Sequence, residues 1–461
     1  MEDLLKNILK VCEENKAEFS DIRIFKDKNT VIKKDSKKRS VEINERCFTV
    51  LRVLKDGFFR YATTTKINRK NLENIAKSIC YDSKYKQNKQ IEFLRPIKKI
   101  VKNRVKRRPE EISLEKKVND IEEIFSISTS NKKIKSSRIV YSDSYDVMYF
   151  MSSEDRYIEQ TLTKTNIIIY VNARQNDIVT ESFESFGGAK GYEVVEEIDE
   201  NKINEIVGKA VEQLNGKRCP KGNFPVVVDG SVAGVIAHEI IGHPSEADFI
   251  INERSFLSNL LGKEIANKNV SIIDDATIEG NGFYFFDHEG IEGQKTYIIK
   301  NGFLNSFLHS RETASFFSKK YNEKVRSTGN ARLQGLGRKI FVRMSNTYFK
   351  PGDYNKEELF LGIRKGIYAI KNVCGMEDPA GKGFYVSCLM GYLIENSKIT
   401  KPIRGEIVLT GNVLDLLKNI TAVSKDFHLN PGGCGKGHED FVRVGTGGPH
   451  IRIENITVGG I

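Results

Sequence analysis

The chain has no apolar run near the roughly 18 residues that a membrane-spanning helix needs. Its N-terminal segment, MEDLLKNILKVCEENKAEFS, carries acidic residues and scattered charge. It lacks the basic and apolar regions of a secretory signal. Cysteine is scarce, with seven in 461 residues and no C-x-x-C pair. That excludes a disulfide framework and points to a reducing compartment, the cytoplasm. Histidine is equally scarce at seven, and no internal repeat marks a solenoid. The net charge of +12 allows a general affinity for polyanions. However, the densest basic stretch, RPIKKIVKNRVKRR at 95–108, contains no aromatic residue to stack a base and no nucleic-acid motif. It reads as a solvated connector or the approach to a helix, so neither nucleic acid nor membrane is an expected partner.

What is present points to an α+β protein. Leu4, Leu5, Ile8, Leu9 and Cys12 recur at helical spacing, which predicts an amphipathic helix over 1–16. Short alternating runs at Ile22–Phe25, Val31–Lys33, Ser40–Ile43, Phe48–Val53 and Phe58–Ala62 predict an antiparallel meander, with a hairpin turn at Lys55-Asp56-Gly57. Helices are expected at 69–81, 112–127 and 201–215, with a second strand-rich block over 137–185. KRCPKGNFPVVVDG, 217–230, reads as a junction. It divides an N-terminal α+β domain, 1–220, from a strand-rich C-terminal domain, 221–461, that carries the chemistry. The buried strand Phe224–Val228 feeds a helix with Ser231 as its expected N-cap.

That helix reads SVAGVIAHEIIGHPSEAD and places His238, Glu239 and His243 together. The histidines stand five apart, which on a regular helix separates them by about 140°. A single π-type turn absorbs one residue and returns them to one side, and Gly242 and Pro244 favour such a distortion. Two neighbouring core histidines are the plain alternative. Against it, a charged glutamate in an otherwise apolar helix is costly to bury unless it has a partner and a task. A catalytic zinc takes three protein ligands and keeps one position open. Cysteine and carboxylate candidates remain for the third. Cys434 lies in the glycine-rich segment NPGGCGKGHEDF, near Lys436 and His438, where a nearby cation or metal would stabilise a thiolate. Spacing alone does not assign it.

HEIIGHPSEAD resembles the H-E-x-x-x-H signature of the TldD/PmbA metallopeptidase family, in its catalytic TldD-like branch. The similarity continues in order through DDATIEGNGFYFFDHEGIEGQKT, STGNARL, RMSNTYFKPGD, YLIENSKITKPIRG, LTGNVLDLLKNITAVSKDF, CGKGHEDFVRVGTGGPHIRI and TVGG. VLRVLKDGFFRYATTT resembles the family's first sheet. The resemblance implies one Zn²⁺ held by His238, His243 and Cys434, with Glu239 as general acid/base. It implies hydrolysis of short or unfolded peptides, and a dimer, either of two copies or with a TldE/PmbA-like non-catalytic chain. Two departures stand out. Asp287-His288-Glu289-Gly290 replaces a more acidic run, and His438 stands where relatives often carry glutamine. His438 is expected either to donate to a developing oxyanion or to stand as a fourth nitrogen near the metal. Asp287, Glu289 and Arg332 are substrate-side candidates, with ordinary capping and ion pairing as the alternative. The rival to a peptidase is a non-enzymatic regulatory or binding protein with a closed, structural zinc site. Glu239 argues against it, because a structural site needs no adjacent base.

Overall fold

The computed structural model describes residues 1–378, 380–436 and 441–460, and it is of the α+β class. The amphipathic N-terminal pattern folds as α1 (Glu2–Glu14), which buries Leu5, Ile8, Leu9 and Cys12. Then come β1 (Phe19–Asp35), β2 (Arg39–Lys55) and β3 (Phe58–Thr64). The five short runs expected here merge into three strands, because β1 is paired along almost its whole length on both sides. Those ladder bonds outweigh the poor strand propensity of Asp27, Lys28 and Asn29. The turn at Asp56-Gly57 is the expected one, with φ of 54° and 72°, the left-handed pair of a tight hairpin.

Next follow α2 (Arg69–Ile79), β4 (Ile97–Lys102), α3 (Leu114–Ser128), β5 (Ile134–Ser152), β6 (Arg156–Gln175) and β7 (Ile178–Gly188). A single turn, α4 (Glu193–Glu196), precedes α5 (Glu200–Gln213). The strands form one sheet in the order β3-β2-β1-β5-β6-β4, with β7 on the remaining length of β6. Here the basic stretch departs from expectation. Its residues 97–102 are not a connector but a strand parallel to β6. Pairing there satisfies backbone groups that β6 would otherwise leave open. Helices α3 and α5 bury Ile121, Ile124, Ile203 and Ile206 against the sheet.

The strand Gly222–Val228 runs straight into α6 (Gly230–Ala237). Asp229, rather than the expected Ser231, is the N-cap. Its Oδ1 accepts from Val232 N–H at 2.9 Å and from the Ser231 hydroxyl at 2.7 Å. Asp229 Oδ2 accepts from Lys371 N–H at 3.2 Å, so one carboxylate starts the helix and pins the neighbouring strand. Five strands close into a ring: Lys365–Glu377, Gly222–Val228, Ile451–Gly460, Ile407–Asn412 and Gly383–Glu395, the last pairing back onto the first. A second sheet contains Ile272–Asp275, Asn346–Phe349, Val442–Gly448 and His428–Cys434.

Every residue of α6 is buried, as expected of a helix apolar all round. It lies against both sheet systems. Gly234 makes this possible, since a Cβ there would lie 2.1 Å from the backbone nitrogen of Gly447. Buried ion pairs join the N-terminal sheet to the rest: Arg52, also paired with Asp21 inside the sheet, with Glu289, and Arg311 with Glu154 at 2.6 Å. Among the described residues no helix is long and apolar enough to cross a membrane.

Gly234→Ala should therefore destabilise the chain by about 1–3 kcal/mol through overpacking. Equilibrium urea unfolding should show a lower midpoint, whereas an unchanged midpoint would mean that α6 is not held this closely.

Candidate metal centre

The helix changes pitch where the chemistry begins. Residues His238–Gly242 form a π-helical turn, and His243 N–H donates to the His238 carbonyl five residues back. A short 3₁₀ turn, His243–Ser245, follows. Gly242 is needed there because a Cβ would lie 2.0 Å from Met344 Sδ. The widened turn brings the two imidazoles to one side, with ring centroids 5.1 Å apart and planes at 85°.

Both rings face Cys434, the last residue of the strand His428–Cys434. His238 Nε2 and His243 Nε2 lie 3.0 and 3.1 Å from its Sγ. All three side chains are buried, and their donor atoms lie within 4.8 Å of one another. Two imidazole nitrogens and a sulfur converging in this way form a donor set suited to zinc. Burial alone would raise the Cys434 thiol. Instead the His238 and His243 charges and hydrogen bonds hold it well below its usual value, favouring the thiolate that binds metal.

Behind the donors lies a closed charge network. Glu246 is fully buried, with Oε2 2.7 Å from Lys436 Nζ and 3.6 Å from His243 Nδ1. Burial opposes its ionisation, yet Lys436, His243 and Arg343 hold its carboxyl down at about 2. Arg343 Nη2 donates to the Cys434 sulfur and carbonyl, both at 2.9 Å, and to the Gly435 carbonyl at 3.0 Å. Glu246 thus orients His243, and Arg343 fixes the sulfur. Neither role was legible in the sequence, where Glu246 reads as a helix-end acid three residues after His243.

Glu239 sits on the same π turn and is half-buried. It faces a cavity of about 690 Å³ that His238, His243 and Cys434 also line. Gly375, on the strand Lys365–Glu377, keeps room for it, since a Cβ there would lie 2.5 Å from Glu239 Cγ. Among the described residues, this strand beyond residue 369 is paired only on its Gly383–Glu395 side. His428–Cys434 is likewise an edge strand. Two strand edges, each partly taken up by side chains, therefore border the cavity, and Tyr170, Phe183 and Glu184 of the N-terminal sheet wall it.

The other candidates lie elsewhere. Asp287 accepts the backbone N–H groups of Glu289, Ile291 and Ala331. Burial and the Glu289 charge push its carboxyl up to about 7. Glu289 pairs with Arg52 and accepts Arg311 N–H at 2.7 Å. Neither acid lines the metal cavity. Arg332 donates to the carbonyls of Met344 and Arg443 and faces a separate, smaller cavity. His288 Nδ1 accepts Leu333 N–H at 2.7 Å. His438 falls outside the described residues.

The chain matches known proteins over most of its length. Residues 221–460 match the PmbA/TldA metallopeptidase C-terminal domain, and residues 107–218 match the PmbA/TldA metallopeptidase central domain. The chain is 37% identical to a metalloprotease of Methanocaldococcus jannaschii, over 95% of this chain and 96% of that one. It is 32% identical to a zinc metalloprotease TldD homolog of Saccharolobus solfataricus, over 98% and 99%. Among solved structures it shares its fold with TldE of Thermococcus kodakarensis, at a TM-score of 0.78 and 17% identity over 99% and 100% of the two chains. A Bacteroides thetaiotaomicron protein described as a modulator of DNA gyrase matches at a TM-score of 0.79 and 19% identity, over 100% and 99%.

Because Arg343 Nη2 reaches sulfur and two carbonyls while its Nε faces Glu246 Oε1 at 3.4 Å, the single nitrogen of lysine should not replace it. Arg343→Lys should weaken zinc affinity by about 10–100-fold in chelator competition. An unchanged affinity would show that Cys434 needs no such support.

Proposed function

The chain belongs to the PmbA/TldD metallopeptidase family and is a metal-dependent peptidase. On that footing, we propose that it hydrolyses short or unfolded peptides at a zinc site formed by His238, His243 and Cys434, with Glu239 as the base. The convergence of three buried donor atoms beside Glu239 carries this reading. A zinc ion there supplies Lewis acidity, making a water more acidic and polarising a peptide carbonyl. Glu239 takes the proton from the attacking water and returns it to the leaving amine. Its place on the π turn, one residue after His238, puts Glu239 on the cavity that the three donors line.

Substrate binds in extended form along the open parts of the Lys365–Glu377 and His428–Cys434 edges. Main-chain pairing of that kind recognises backbone rather than sequence, so specificity is broad. Residues 1–220 wall the cavity and supply the dimer surface, and residues 221–461 carry the chemistry. The second chain is either another copy or a TldE/PmbA-like chain without the metal helix. The cytoplasm is the compartment that suits seven free cysteines.

Glu239→Gln tests the base. It should keep the wild-type metal content while peptide turnover falls by about 10²–10⁴-fold. Near-normal turnover in the metal-loaded variant would remove Glu239 from the mechanism.

A further inference from the structure

A cavity of about 200 Å³ lies where the N-terminal sheet meets segments 283–288, 332–335 and 441–443. Four cations line it, Arg46, Lys164, Arg332 and Arg443, of which Lys164 and Arg332 are only 4% and 8% exposed. Lys164 Nζ donates to the Asn281 carbonyl at 2.5 Å. Arg332 Nη1 donates to the Met344 and Arg443 carbonyls at 2.9 and 2.7 Å. Among the described residues, neither Lys164 nor Arg332 has a carboxylate within ion-pair distance of 4.0 Å.

The acids on the same cavity are already committed. Asp146 pairs with Arg443 at 2.8 Å and Asp27 with Arg46 at 3.4 Å. Asp287 is taken up by three backbone N–H groups. Burial, followed by the charges of Arg443 and Arg332, drives Lys164 far below the usual lysine range, and Asp146 offsets this only weakly. An ammonium and a guanidinium withdrawn from water without a counter-charge are costly to keep. Both also retain donors: lysine has three and arginine five.

We propose that this cavity binds a small oxyanion, a carboxylate or phosphate group, between the Lys164 ammonium and the Arg332 guanidinium. The site is distinct from the metal cavity, and among the described residues the two share only Phe441 as a wall. The volume accommodates such a group with a few waters, each taking about 30 Å³. Phe25 and Phe48 line the cavity as well, which disfavours a bulky polar ligand.

The test is calorimetric binding of inorganic phosphate, N-acetylglycine and N-acetylglycinamide to the full chain at fixed ionic strength. Wild type and Lys164→Met are compared. Saturable binding of phosphate, of N-acetylglycine, or of both is expected, with the uncharged amide silent. Phosphate alone would indicate a free inorganic anion as the occupant, and N-acetylglycine a carboxylate such as a peptide terminus. Lys164→Met should weaken binding at least tenfold. Without anion it should melt no lower than wild type, because the cost of burying an amine that water would protonate has been removed. Three results would overturn the proposal: no saturable binding of either anion, undiminished binding in Lys164→Met, or a large fall in that variant's melting temperature.

Discussion

The hydrogen bond from His243 N–H to the His238 carbonyl spans five residues, and it decides which way both imidazoles face. In a regular α-helix these side chains would diverge by about 140°. The wider turn aims both Nε2 atoms at Cys434, nearly two hundred residues later in the chain. It also leaves Glu239 on the cavity side. Much of the surrounding packing holds this turn in place. Gly242 lets it approach Met344, Gly234 lets α6 lie on the strand Val442–Gly448, and Gly375 clears the path of Glu239.

Charge does the rest of the positioning. Glu246 and Arg343 are fully buried and Lys436 is half-buried beside them, and each is matched. Removing one partner would strand the others in a low-dielectric interior, which is far more costly than never having built the network. Glu246 touches His243 and Arg343 touches Cys434, so the network that neutralises itself also orients the candidate ligands. The contrast with Lys164 and Arg332, buried a short way off and without a carboxylate partner among the described residues, is what singles out the second cavity.

Some of this was legible in the sequence. An H-E-x-x-x-H spacing with glycine and proline at its end required a distorted helix turn, and the structure has one. The strand at 224–228, the helices and the Asp56-Gly57 turn follow from local pattern. Strand lengths did not, because Asp27 and Asn29 break the apolar alternation that a single sequence offers as its guide. Only pairing on both sides of β1 makes those residues strand. The N-cap was misplaced by two residues for a similar reason, since Asp229 serves the neighbouring strand as well as the helix. Glu246 and Arg343 gave no signal at all. Their roles depend on partners brought together only by the fold.

The central claim is that one metal ion is held by residues from both ends of the C-terminal region. Elemental mass spectrometry of the chain purified without added metal, alongside Cys434→Ser, tests it most directly. The account predicts close to one zinc per wild-type chain and a sharp loss in the variant. A wild type without metal, or a variant that retains it in full, would contradict it.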